Sequence, residues 1–149
     1  MHPFDLKSAL LAKHAQHVVL IHFPIALFLT GVGFDFAARW TKRPALAAAA
    51  YYNLIGAAVS LLPVLVTGIL AWQWQLEGQK LKGVLLLHLG FGCASALLIW
   101  LVAWLHVRKE RGTEPVFSGL RFPLELLAAV SIMATAHLGG FLSGVNIAG

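Results

Sequence analysis

Three histidines carry the first suggestion of chemistry: His22, His88 and His137. Each falls inside a long apolar run, where an ionisable side chain is costly and marks a function by default. His22 lies four residues after the start of the run 18–38, His88 five after the start of 83–105, and His137 five before the end of 123–142. At 1.5 Å per residue, with alternate runs antiparallel, all three imidazoles sit about 6 to 8 Å beneath one membrane surface. Histidines from different helices at one height are what a metal or metallocofactor bound between helices requires.

Haem b is the economical occupant. Two imidazole nitrogens from facing helices satisfy an iron axially, and the porphyrin fills apolar space in a helical bundle. The iron ligands are expected to be two of His22, His88 and His137. The third, or His17 at the edge of the first run, would orient a ligand, meet a propionate or contact a quinone. Gly92 and Ser95 follow His88 by four and seven residues and keep one helical stripe small, a surface for a flat macrocycle. That stripe makes His88 the first choice as a ligand. His137, followed by Gly139 and Gly140, is preferred over His22, whose imidazole can bond carbonyls left without a donor by Pro24. The only cysteine is Cys93, so no Cys-x-x-Cys-His attachment exists and the haem would be non-covalent. Hydrolytic zinc fits less well, because the nearest carboxylates, Asp35 and Glu125, belong to the opposite end of the runs. Soft copper fits poorly too, since Met133 lies a turn away from the histidine layer. The competing reading is a structural subunit whose histidines only donate and accept hydrogen bonds. Gly90-x-x-x-Ala94 and Gly140-x-x-x-Gly144 have the spacing of helix-packing stripes.

The elements that must position these residues follow from composition. Of 149 residues, 59% are hydrophobic and 11% charged, against about 25% charged in a soluble domain. The apolar residues form four runs, at 18–38, 51–72, 83–105 and 123–142, each close to the roughly 20 residues that cross a bilayer as a helix. The expected fold is all-α: one integral membrane domain, 1–149, built as an up-down-up-down four-helix bundle. The runs lack the alternation of a membrane strand. Pro24 and Pro63 should bend their helices locally. The first run is too long for a signal-peptide core and is expected to be retained. Segment 4–16 suits a short amphipathic helix on the membrane surface. His2 and His14 fall in this tail, and His106 is expected at the interface, opening a long third loop to Phe122.

The basic residues lie between the apolar runs, which speaks for topology signals and against nucleic acid. Lys7, Lys13, Lys80 and Lys82 share one side; Arg39, Lys42, Arg43, Arg108, Lys109, Arg111 and Arg121 share the other. The positive-inside rule puts the second side in the cytoplasm and both termini outside. Asp35 and Glu125 share the inner layer with Arg39 and Arg121, and helix-end ion pairing is their expected role. Thr30, Asn53, Thr67 and Ser131 are too scattered in sequence to trace a proton path.

The segment His17-Val-Val-Leu-Ile-His22-Phe-Pro-Ile-Ala-Leu27 resembles the motif His-Pro-x-x-Val-His-Phe-Pro-Ile-Ala-Leu of a family of small four-span bacterial membrane proteins catalogued as a domain of unknown function. The resemblance extends to His88 with the glycines after it and to His137-Leu-Gly-Gly140. Val18 departs from the motif's proline, so the resemblance bears on His22 more than on His17. Members of that family look like partners of, or fusions to, c-type cytochrome domains, which implies a redox setting in a bacterial inner membrane. Together the residues and the resemblance lead to one expectation. The chain would be a b-type cytochrome-like subunit of a respiratory complex, passing electrons between an outward-facing redox partner and the quinone pool. It would have no bond-making chemistry of its own, since it lacks a nucleophile with its base and a phosphate-cradling loop.

Overall fold

The computed structural model describes residues 13–74, 76–112 and 119–144, with side-chain surroundings from residue 16 onward. The surface segment expected over 4–16, with His2, therefore falls largely outside the described residues, as does most of loop three. Five helices follow one another: α1 (Lys13–Leu20), α2 (His22–Thr41), α3 (Pro44–Trp74), α4 (Gly83–Glu110) and α5 (Arg121–Leu142). The described residues contain no strand. Four spans are long and apolar enough to cross a membrane: Gln16–Thr41, Pro44–Trp74, Gly83–Glu110 and Arg121–Leu142. The expected four-helix architecture holds, with α2 against α3, α3 against α4, α4 against α5, and α5 closing onto α2.

Local chemistry explains the boundaries. Span one is interrupted at Ile21 because Pro24 has no N–H for the Leu20 carbonyl and its ring crowds that carbonyl. The chain resumes with Ile25 N–H donating to the Ile21 carbonyl at 3.3 Å. Span one ends at Lys42, whose left-handed φ of 58° lets its N–H donate back to Ala38. Only Lys42 and Arg43 then separate α2 from α3, which opens with Pro44 in the favoured first helical position. The alanine tract 47–50 lies inside α3, so this loop is much shorter than the sequence suggested; alanine is the strongest helix former. Pro63 does not stop α3. It leaves the Val59 carbonyl without its usual donor, and the indole of Trp100 reaches across to the neighbouring Ala58 carbonyl at 3.0 Å.

The core is confined to the middle and one end of the bundle. Phe28, Leu54, Ala57, Leu61, Ala96, Ile99, Val102, Ala128 and Ile132 form its buried cluster. Gly31 marks the closest approach of α2 to α3. A Cβ there would lie 2.8 Å from Leu54 Cγ, closer than carbon atoms pack. The end that carries His17, His22, His88 and His137 is different. No position in 16–23, 65–74, 83–94 or 133–142 is buried. That leaves about 15 Å of α3, α4 and α5 without a buried side chain.

Candidate functional site

At the histidine end, two imidazoles pack into seams between helices. His88 on α4 lies against α5, where its Nδ1 donates to the Thr135 carbonyl at 3.0 Å. A Cβ on Gly139 would meet the same ring at 3.1 Å, so glycine at this position makes room for it. A carbonyl can only accept, so Nδ1 carries the hydrogen and Nε2 keeps its lone pair. His17 on α1 repeats the arrangement against α3: its Nδ1 lies 3.3 Å from Thr67 Oγ1, and a Cβ on Gly68 would meet its ring at 3.0 Å. His22 and His137 are exposed on the bundle surface, His137 edge-on to Phe141 with ring centroids 5.1 Å apart. Residue 137 is two positions from both Thr135 and Gly139. Two residues turn a helix through about 200°, so it projects away from the α5 face that receives His88.

Gly92 and Ser95 do not provide a bare surface. The face they share with His88 is taken up by α5: a Cβ on Gly92 would sit 3.7 Å from Thr135 Cγ2. Ser95 Oγ lies 2.8 Å from Ser131 Oγ and 3.1 Å from Thr135 Oγ1. The stripe expected to meet a macrocycle is a helix-packing face, because small residues let α4 and α5 approach closely enough for these hydroxyls to pair. Nor is Gly144 part of a packing stripe. Its φ of 74° places it in the turn that ends α5.

The other end holds a cluster the sequence only half disclosed. Asp35 on α2, His106 on α4 and Glu125 on α5 are all buried, and one ligand atom from each lies within 4.8 Å of the others. Among the described residues this is the one group of three or more His, Cys, Asp or Glu side chains brought so close. The expected ion pairs are present around Asp35. Arg39 Nε, one turn along α2, donates to Oδ2, and Arg121 Nη2 donates to Oδ1 at 3.1 Å. Aromatic rings flank the pairs: Phe36 stacks on Phe122 at 5.9 Å, and the Arg39 guanidinium lies 5.5 Å over the Phe122 ring.

His106 overturns its expected place at the interface. Helix α4 continues to Glu110, so His106 lies a full turn inside the helix, only 3% exposed. Its Nδ1 donates to the Val102 carbonyl at 3.0 Å. Nε2 then points between Glu125 Oε1 at 3.5 Å and Asp35 Oδ1 at 3.6 Å. One sequence signal existed: His106 is 18 residues after His88, five whole helical turns, and therefore on the same face of α4. Two arginines and two acidic residues meet here around the imidazole. A divalent metal would add two charges to this buried set and compete with both arginines for Asp35.

Between the two ends runs a partial polar ladder. From His88 it continues through Thr135, Ser95 and Ser131, with Thr135 Oγ1 donating to the Ser131 carbonyl at 2.9 Å. Ser131 is thus part of a connected group, whereas Asn53 turns back on its own helix to bond the Ala49 carbonyl. The ladder stops at the buried layer of Ile99, Val102, Ala128 and Ile132 before Glu125 is reached.

Comparison with known proteins agrees with the membrane architecture. A family model described as Predicted membrane protein (DUF2231) matches residues 13–146. No curated protein and no solved structure matches the chain.

Proposed function

Taking as premise that the chain belongs to the DUF2231 family of predicted membrane proteins, we propose that it is the membrane subunit of a redox complex with a haem b site at its histidine end. One observation carries this reading: the four helical spans put His17, His22, His88 and His137 at one end of the bundle, where no position in 16–23, 65–74, 83–94 or 133–142 is buried. Apolar helices that leave their side chains unburied over this length suit a cofactor or partner that completes the core. A haem bound there would supply a one-electron carrier. His88 fits a ligand's role, because the Thr135 carbonyl fixes its Nδ1–H and leaves Nε2 to coordinate, the orientation second partners give to metal-bound imidazoles. Its axial partner would be His22, since residue 137 projects away from the α5 face that receives His88, and His17, held at Thr67, would meet a propionate or quinone. The electrons would pass between an outward redox protein, such as a c-type cytochrome, and the quinone pool.

Protein purified in mild detergent from haem-replete cells should show a sharp Soret band and a reduced α band, with the haem extracted by acid acetone. A folded but colourless preparation overturns the proposal. It would favour an accessory subunit, a reading supported by the hydroxyl pairs between α4 and α5, which satisfy that seam as helix-packing residues do.

The positive-inside count supports an inner-membrane orientation with the Asp35 end cytoplasmic and the histidine end periplasmic. Glu110 and Gln79 are exposed at opposite ends of the bundle. In a Cys93→Ala background, a cysteine at Gln79 should react with an impermeant thiol reagent in intact cells, and one at Glu110 should react only after lysis. The reverse pattern would put the histidine layer on the cytoplasmic side and remove the outward partner.

A further inference from the structure

We propose that Glu125 and His106 form a proton-binding site buried at the Asp35 end of the bundle, exchanging its proton with water on that side alone. The inference stands independently of the haem reading. It begins with Glu125, which is 0% exposed, yet neither of its carboxylate oxygens has a hydrogen-bond partner. Leaving a buried carboxylate without donors is costly. His106 Nε2 is in the same position: buried, unpartnered, and aimed at carboxylate oxygens of Glu125 and Asp35. Because Nδ1 is committed as donor to Val102, a neutral ring turns a lone pair toward two acceptors. One hydrogen resolves the conflict for both groups. Carried on Nε2 it gives an imidazolium donating to Glu125; carried on Glu125 it gives a carboxyl donating to Nε2.

A proton suits the site better than a metal ion. Asp35 already accepts from Arg39 and Arg121, one guanidinium on each oxygen, so it has little to offer a cation. Among the described residues, the charged groups facing the site are Asp35 and Arg39 from α2, His106 from α4, and Arg121 and Glu125 from α5. The buried positions of α3 are Ala50, Leu54, Ala57, Leu61 and Val64, none of which titrates. A proton raises the set by one charge where a divalent ion raises it by two.

The route is one-sided. Arg39, with its side chain 38% exposed, is the member that reaches the surface. Toward the other end, the layer of Ile99, Val102, Ala128 and Ile132 separates Glu125 from Ser131 by about 9 Å along α5. Proton uptake moves a hydrogen from water past Arg39 to the Glu125–His106 pair, and release reverses it.

Infrared difference spectra of the whole protein in lipid nanodiscs, recorded between alkaline and acidic buffer, test the site. Acidification adds bands from every accessible carboxyl and imidazole, so the signal is read against the Glu125→Gln spectrum. The wild type should show the carbonyl band of one further protonated carboxylic acid per chain, shifted by exchange into 2H2O, or the ring modes of one further imidazolium. Either signal should be lost in Glu125→Gln, and Glu125→Asp should keep it at a changed position. Should Glu125→Gln fail to fold, the Glu125→Asp shift decides. A spectrum indifferent to both substitutions overturns the proposal. So does stoichiometric retention of added zinc or manganese by the wild type that Glu125→Gln abolishes, which would make the cluster a metal site.

Discussion

Asp35→Ala is expected to lower stability by about 3–5 kcal/mol, the cost of removing one member from a buried ion pair. The size of the effect comes from what is left behind. Arg39 can turn outward, since its side chain is 38% exposed. Arg121 cannot, because its side chain is only 6% exposed and its Nη2 is held on Asp35 Oδ1. Removing the carboxylate therefore takes from the buried Arg121 guanidinium the acceptor on its Nη2 and leaves the cluster's charges uncompensated. Asp35→Leu combined with Arg121→Leu should recover most of the loss, because apolar side chains of similar volume replace a buried pair at little cost. Unfolding in mixed micelles with increasing denaturing detergent would measure both. If the double variant is as unstable as the single one, the cluster's role lies in its net arrangement of charge and the pairwise account fails.

The pairing of Asp35 with Arg39 and Arg121 was legible because depth follows from counting residues along an apolar run; Glu125 lies in that layer as expected but pairs with neither arginine, facing His106 instead. His106 was not legible, for a reason that is equally physical. The run that defines span three ends at Leu105 when hydropathy alone is read, whereas backbone hydrogen bonding carries α4 through Arg108 and Lys109 to Glu110. Long basic side chains reach the interface from inside a helix end, so charge marks the water boundary and not the last helical residue. The alanine tract shows the same gap between hydropathy and helix: it precedes the run 51–72, yet Ala50 is fully buried in α3. Gly92 and Ser95 fall on the face the sequence assigned them. What covers that face depends on the angle between α4 and α5, which no single-helix pattern contains. His17 was legible only as an edge residue, and its contact with Thr67 depends on how α1 turns at Ile21 and Pro24.

The two ends of the bundle differ in how their polar groups are compensated. At the Asp35 end, fixed charges neutralise one another and the helices close tightly, with Ala38, Leu105 and Ala50 buried around them. At the other end, the His17 and His88 imidazoles are held by a threonine hydroxyl or carbonyl, and none of the described positions around them is buried. On the proposed reading, the tightly packed, charged end would hold the helices in register while the less buried end receives the cofactor. This division of labour supports reading the two clusters as separate functions on one scaffold.

His88→Gly is expected to abolish the low-spin haem spectrum, the largest effect any single substitution should have on the proposed cofactor. His88 is the histidine whose ring orientation is most constrained. Its Nδ1 bonds the Thr135 carbonyl, and its ring rests where a side chain on Gly139 would otherwise stand. Losing it would remove the proposed axial nitrogen whose ring the fold holds in place, and His106, about 27 Å away along the same helix, cannot substitute. The variant also distinguishes coordination from packing. Glycine leaves a space the size of imidazole, and free imidazole added to the variant should enter it and return the low-spin bands, since the site's requirement is a nitrogen lone pair and not a covalent tether. If His88 only fills the seam between α4 and α5, the variant should lose stability while haem, where present, keeps its spectrum with or without imidazole. Gly139→Ala offers a graded version of the test. Its Cβ would press on the His88 ring at 3.1 Å, so the ring must tilt away from the Thr135 carbonyl. The bands should then shift and weaken without disappearing, because the ligand remains but its orientation is lost.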